Sequence, residues 1–482
     1  MTNLSVVASG GVAVPDRIKP RERDVVVQAL RAGVVPRTGL QHVQVGRLRE
    51  VSEIVRDVDR IADGGSAVRF AIGDYGSGKT FFLTLGRSIA AQRKLVVVHA
   101  DLSPDRRIHA TGGHARSLYA ELMRSMATRT KPEGGALASV VERFIGDAQG
   151  AAKTAGRAVE EVIRERLAPI QDLVSGYDFA TAVERYWRAF DEGNETGKAA
   201  ALRWLRGEYA LKTEAREALG VRTIIDDAGV YDYLKAMGRF VRLAGYAGFL
   251  VVMDECVNLY KLVNAQARNA NYEQILRIVN DVLQGSAEGL GFYFGGTPET
   301  LMDSRRGLYS YEALRSRLAE NAFARNGLVD LSGPVIRLQS LTPEDLLVLL
   351  GKLRHVFAGG DPARYLVPDD ALPAFMVHCN QKIGEAYFRT PRNTIKAFLD
   401  LLAVLDQNPG TDWRVLVSQT EIAPDAPPAG GDIVDGPATE SVPSEPPATA
   451  PIGDAGMRNS GTAETKGTDG GSGGDDLASF RL

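Results

Sequence analysis

The residues best suited to chemistry are Gly73-Asp74-Tyr75-Gly76-Ser77-Gly78-Lys79-Thr80, a Gly-x-x-x-x-Gly-Lys-Thr pattern. An apolar run, Phe70-Ala71-Ile72, leads into it, and a helix-like segment from Phe81 to Gln92 follows. Strand, glycine loop and helix form the context that a P-loop requires. Gly73, Gly76 and Gly78 let the backbone curl so that its N–H groups face phosphate oxygens. The positive end of the next helix adds to the attraction. Lys79 is expected to reach the β- and γ-phosphates, and Thr80 to offer its hydroxyl to Mg²⁺. The nucleotide-binding set expected here runs through Gly73, Asp74, Tyr75, Gly76, Ser77, Gly78, Lys79, Thr80 and Phe81.

A second constellation lies far downstream. Phe249-Leu250-Val251-Val252-Met253 is continuously apolar and ends in Asp254-Glu255. A buried strand would carry both carboxylates to its C-terminal end, beside the P-loop. Asp254 is expected to hold Mg²⁺, mostly through water. Glu255 is expected to orient and polarise the attacking water. Thr297 ends the next apolar run, Gly289 to Gly296, where a hydroxyl could sense the γ-phosphate or fix that water. It fits equally well as the cap of a helix beginning Pro298-Glu299.

Three arginine groups compete for the charge on a transferring phosphate. Arg315 and Arg317, in a helix from Tyr309 to Leu318, suit a finger supplied by a neighbouring subunit, which requires a homo-oligomer. They also suit a solvated face with a Glu312–Arg315 pair. Arg305 and Arg306 are rivals for the same role. Arg392 falls in the first turn of a helix starting at Thr390 or Pro391. A cation there opposes the helix dipole, which points to a nearby anion such as ATP; an exposed lid arginine is the other reading. The expected catalytic set is therefore Glu255, Lys79, Thr297, Arg315 and Arg317. The expected metal ligands are Thr80 and Asp254. Upstream, Val45 and Gly46 are candidates for the adenine wall or form a plain loop before a helix.

These groups need elements to position them. The periodicity predicts helices over Arg21–Arg31, Leu48–Ala62, Asn271–Gln284 and Pro343–Phe357. It predicts strands over Ala67–Ile72, Leu95–Ala100, Gly248–Met253, Gly289–Gly296 and Val335–Leu338. Thr128 to Ala244 is helical almost throughout, with Trp187 and Trp204 as core anchors. Lys79 and Asp254 are 175 positions apart, so a helical insertion must emerge between them. The resulting plan is a leader (1–20), a first core part (21–127), a helical insertion (128–245), a second core part (246–340), a helical lid (341–420) and an acidic Pro/Gly-rich tail (421–482). The fold class is α/β, a parallel sheet with helices on both faces.

Composition narrows the function classes. Of 482 residues, 44% are hydrophobic and 24% charged, the balance of a soluble globular chain. No apolar run has membrane-spanning length, and the first twenty residues do not read as a secretory signal. Two cysteines, Cys256 and Cys379, cannot build a disulfide framework, which suits a reducing, cytoplasmic setting. His99, His109 and His114 lack the spacing and companions of a metal site. From Glu421 onward the chain has eleven acidic and three basic side chains, leaving an excess of five positive charges on residues 1–420. That excess is compatible with nucleic acid but does not demand it.

Taken together, the order of these motifs resembles an AAA+ ATPase of the origin-recognition and signalling type. Within that class, the chain resembles the small ATP-binding proteins of bacterial BREX-type phage-defence systems. Three stretches carry the resemblance: Val25 to Pro36, Gly73 to Phe82, and Tyr311-Glu312-Ala313-Leu314-Arg315-Ser316-Arg317-Leu318. It covers about residues 21–410. The resemblance implies ATP and Mg²⁺ as cofactors, antiviral defence as the setting, and a helicase or other defence-system protein and DNA as partners. The insertion departs from a standard AAA+ module, so the ordinary placement of a pore loop does not carry over. Two modes of action fit: an ATPase that couples turnover to partner or DNA engagement, and a slow-turnover ATP-gated switch that binds a protein. A small-molecule kinase fits less well, because Asp254-Glu255 favours activated water.

Overall fold

Five apolar runs of four to eight residues, each buried on both faces, have only one economical arrangement: a parallel sheet covered by helices. The computed structural model describes residues 17–324, 328–383 and 391–419, and all of them belong to one compact unit, Met1–Gly436. The leader as far as Asp16, Arg389-Thr390 at the lid-helix start, and the acidic tail lie outside the described residues.

The strands are β1 (Ala67–Ile72), β2 (Leu95–Asp101), β3 (Gly248–Asp254), β4 (Leu290–Gly296) and β5 (Val335–Arg337). They lie in the order β2-β3-β4-β1-β5, every pair parallel. Register aligns their carboxyl ends. Asp101 sits opposite Asp254, and Ile72 opposite Gly296. The P-loop, Asp101, Asp254-Glu255 and Thr297 are therefore delivered to one sheet edge, with β4 between the lysine strand and the acidic strand.

Before the sheet come α1 (Pro20–Arg31), α2 (Leu40–Val43) and α3 (Leu48–Ala62); α4 (Lys79–Gln92) follows the P-loop. On one face of the sheet, Ile54, Val58 and Ile61 of α3 and Phe82 and Leu83 of α4 pack against Ala71, Val97, Leu250, Val252 and Tyr293. α3 is pinned by a buried ion pair. Asp57 takes a bidentate bond from Arg69 of β1, at 2.5 and 2.9 Å. The same guanidinium donates to the carbonyls of Leu331 (2.7 Å) and Gly333, just before β5.

The opposite face carries the helical insertion. After β2 come α5 (His114–Arg124), α6 (Leu137–Ala155), α7 (Val159–Gln171), α8 (Gly176–Asp191), α9 (Glu195–Leu205), α10 (Lys212–Leu219) and α11 (Val230–Leu243). Their apolar faces form one continuous core with Phe70, Val96, Phe249, Val251 and Phe292 of the sheet. Trp204 is fully buried, donates to the Thr223 carbonyl at 3.0 Å and meets Phe179 and Tyr233 edge-on. Asp227, at the insertion's far end, accepts the backbone N–H groups of Gly113 (2.6 Å) and Arg116 (2.8 Å), closing the start of α5.

Beyond β3 lie α12 (Val257–Tyr260), α13 (Ala265–Leu283), α14 (Pro298–Met302) and α15 (Glu312–Leu318). α13 begins six residues before the expected Asn271, because Asn264 caps it by accepting from Gln266 and Ala267. The expected helix over Tyr309–Leu318 is instead a 3₁₀ turn, Leu308–Ser310, and then α15, separated at Tyr311.

The last group is α16 (Pro343–Phe357), α17 (Ala371–Ile383), α18 (Pro391–Gln407) and α19 (Trp413–Gln419). Leu350, Phe375, Phe398 and Trp413 form its core, which also takes in Val26 of α1 and Val43 of α2. The chain's first helix thus packs with its last ones and brings them over the P-loop. Among the described residues, no helix is long and apolar enough to cross a membrane.

Candidate functional site

β1 ends at Ile72, and the chain curls through residues 73–78 before α4 begins at Lys79. Gly78 caps α4 with φ +84°, a left-handed conformation that glycine adopts without penalty. The Lys79 ammonium donates to the carbonyls of Gly73 and Asp74, both at 2.9 Å. Burial lowers its pKa, against the opposing pull of Asp254 and Glu255. Ser77 Oγ is buried without a protein partner.

Thr80 Oγ1 donates to Asp254 Oδ2 at 2.8 Å, across 174 positions of sequence. The other Asp254 oxygen accepts the Glu255 backbone N–H at 2.8 Å. β4 leaves room for this carboxylate because it has glycine there: a Cβ at Gly295 would lie 2.1 Å from Asp254 Oδ1. Glu255 has φ +59°, a left-handed conformation uncommon for a non-glycine residue. Burial raises its pKa, Asp254 raises it further, and Lys79 opposes both. Thr297 follows β4 and lies within 3.1 Å of the Thr300 hydroxyl; it occupies the cap position of α14 without donating or accepting a side-chain cap bond.

A cavity of about 220 Å³ opens on the glycine loop and Glu255; Asp254 and Thr297 do not line it. Tyr75, Gly76, Ser77, Gly78, Lys79, Thr80 and Phe81 line one end, with Glu255 beside them. Leu30, Val34, Val35, Val45, Leu349 and Ile395 give the other end an apolar wall. Val45 is on that wall. Gly46 faces Asp345 instead, with its Cβ position 3.0 Å from a carboxylate oxygen. Arg392 lines the cavity, reaching the Tyr75 hydroxyl at 3.4 Å and standing 5.9 Å from its ring centre.

The other arginines are elsewhere. Arg315 is exposed, 3.8 Å from Glu312. Arg317 donates to Asn280 and to the Ala313 carbonyl. Neither lines the cavity. Arg306 donates to the carbonyls of Lys261 (3.2 Å) and Leu262 (3.4 Å) and stacks on Tyr260, so its guanidinium holds the segment after α12. Arg305 follows Asp303, whose carboxylate accepts its backbone N–H at 2.7 Å.

Two site residues escaped the sequence reading. Asp101 ends β2 one position beyond the apolar run and sits in register with Asp254; burial and that neighbour raise its pKa. An acid closing an apolar strand was the available signal, the same one that marked Asp254. Arg47 donates to the carbonyls of Ser77 and Gln339, the latter at 2.9 Å. Nothing local in Val45-Gly46-Arg47 announces that reach.

The donor set fits Mg²⁺. Thr80 and Asp254 offer hard oxygens at the mouth of a phosphate-sized loop, the pattern of a cation that keeps several waters and shares substrate phosphates. Among the described residues, no three His, Cys, Asp or Glu side chains form a metal cage of their own.

The model described as BREX system ATP-binding protein BrxC/D matches residues 18–421. The chain belongs to this family. The BrxC/D match spans every described residue but Arg17, and it bears out the BREX resemblance and ATP as the ligand. The five-stranded parallel sheet flanked by helices is compatible with a P-loop nucleotide-binding protein. No curated protein matches the chain.

Proposed function

We propose that this BrxC/D-family chain is a Mg²⁺-dependent ATPase with an AAA+-like core, acting in the cytoplasm in phage defence. Nucleotide state would be coupled to engagement of a protein partner or DNA. The observation that carries this reading is the 2.8 Å bond between Thr80 and Asp254, which brings the two distant motifs together at the cavity that Lys79 and Glu255 line.

The P-loop amides and the start of α4 would hold the β- and γ-phosphates. Lys79 would exchange its two carbonyl partners for phosphate oxygens. Thr80 and Asp254 would hold Mg²⁺, which when bound neutralises charge on the phosphates. Glu255 would take the proton of the attacking water, and Thr297 would orient that water. The apolar wall at Val45 would take the base, and Arg392 would report occupancy to a lid over residues 341–420. Segment 128–245 would present the partner surface.

Lys79→Ala is expected to abolish ATP binding in a calorimetric titration. Glu255→Gln is expected to keep binding and lose turnover in a phosphate-release assay. Parent-like hydrolysis by Glu255→Gln would overturn the mechanism.

A slow-turnover switch is the second reading. It is favoured by a P-loop whose lysine donates to two of the loop's own carbonyls and by an insertion that shares its core with the sheet. DNA-stimulated hydrolysis would favour the coupled ATPase. Tight ATP binding with negligible turnover, with or without DNA, would favour the switch.

A further inference from the structure

We propose that Arg47 is a positioning residue that ties the P-loop to the start of lid helix α16, so that nucleotide at the loop is felt there. This rests on the ATP-binding reading above. Three observations carry it.

First, one guanidinium nitrogen, Nη2, donates to two carbonyls that no secondary structure joins: Ser77, inside the P-loop, and Gln339, between β5 and α16. The Ser77 carbonyl shares a planar trans peptide with the Gly78 N–H, so the two point in opposite directions. Drawing the carbonyl outward with a cation turns that N–H into the loop, towards the place a phosphate oxygen takes. Arg47, which also lines the cavity, is thus placed to set the orientation of a phosphate-binding donor.

Second, the arginine reaches this place through an unusual backbone. Gly46 and Arg47 both have left-handed φ, +61° and +57°, at the cap of α3. A long side chain rarely adopts that conformation unless its surroundings hold it there. Gly78 makes the space: a Cβ there would lie 3.3 Å from Arg47 Nη1.

Third, the other end of the link is well defined. Thr342 and Asp345 form a reciprocal capping box at the start of α16, at 3.1 and 3.2 Å. The same Asp345 abuts Gly46 and, with Glu50, is an acid facing the Arg47 guanidinium. Residues 46–47 therefore contact the P-loop on one side and the first turn of α16 on the other.

Hydrogen–deuterium exchange on the full chain, with and without saturating ATP and Mg²⁺, tests the link. In the parent, ATP should slow exchange both in residues 76–82 and in residues 339–346. Arg47→Met keeps much of the apolar stem and removes both bonds. It should weaken ATP binding about tenfold, keep the protection of 76–82 once saturated, and lose that of 339–346. Arg47→Lys keeps the charge on a compact ammonium that ends one bond short of the Nη2 position, so it cannot span the two carbonyls as the guanidinium does. It should recover most of the affinity and still lose the response at 339–346; it carries the same test if the methionine variant does not fold. Parent-like protection of 339–346 in either saturated variant would overturn the assignment of Arg47 alone. A parent with no ATP-dependent protection of 76–82 would instead sink the nucleotide-binding reading, and this proposal with it.

Discussion

At the scale of single residues, three carboxylates share one strand edge and compete for charge. Glu255 and Asp101 both have pKa values raised above the ordinary range, first by burial and then by Asp254. A base must be ionised to accept a proton, so the acidic limb of the rate profile should lie above the pH at which an exposed glutamate titrates. Asp101 is among the charges that raise Glu255. Asp101→Asn removes that repulsion and should move the acidic limb of kcat to lower pH; a limb that stays fixed would separate the two groups. The sign for stability runs the same way. Both groups bind protons more tightly folded than unfolded, so their contribution is complete below the unfolded pKa and is lost as pH rises through the raised one. Asp101→Asn should therefore raise Tm at neutral pH and leave it little changed in acid, as a thermal scan at two pH values would record. The glycine loop and Asp254-Glu255 were legible in sequence because their chemistry is local and ordered along the chain. Arg47 was not, because its meaning depends on carbonyls 30 and 292 positions away.

At the scale of elements, burial on both sides made the strands readable, while helix boundaries depended on caps. α3 and α16 have the limits their apolar spacing predicts, Leu48–Ala62 and Pro343–Phe357, and the Thr342–Asp345 box shows why the second is so well marked. Apolar spacing places the start of α13 too late, because its first two turns carry few large apolar residues and its start rests on Asn264. The Asp57–Arg69 pair joins α3 to β1 and to the segment before β5, and no pattern in the sequence discloses it. Both side chains are nearly inaccessible, at 1% and 5%. Asp57→Ala would leave a buried guanidinium without its carboxylate and should cost about 3–5 kcal/mol in urea unfolding. Asp57→Leu combined with Arg69→Met should recover much of that loss, since two apolar groups of similar volume leave no uncompensated charge. Gly295 is the corresponding weak point of β4. Gly295→Ala must displace the Asp254 carboxylate, and it should depress turnover more than it depresses ATP binding.

At the scale of the whole molecule, the insertion shares its core with the sheet, and the P-loop lies beneath helices from both ends of the described chain. The distance between motifs leads one to expect an insertion, but not this continuity, because a helix's apolar face does not say which surface it meets. The α15 arginines remain remote from the cavity. Arg315 is exposed on α15, 3.8 Å from Glu312 one turn earlier in the same helix, and does not line the cavity. Within one copy it has no route to a phosphate, so a finger role requires a second copy whose cavity it enters. Mixing two defective variants decides the matter. Lys79→Ala lacks a working cavity but keeps its arginine; Arg315→Ala keeps the cavity and lacks the arginine. If Arg315 is a finger, each alone should hydrolyse little ATP. If the arginine acts across an interface, the mixture should regain activity, because some intact cavities then face intact arginines, and ATP should move the Glu255→Gln chain to a larger species in gel filtration. If it acts nowhere, Arg315→Ala alone should match the parent, and α15 would be a solvated face after all.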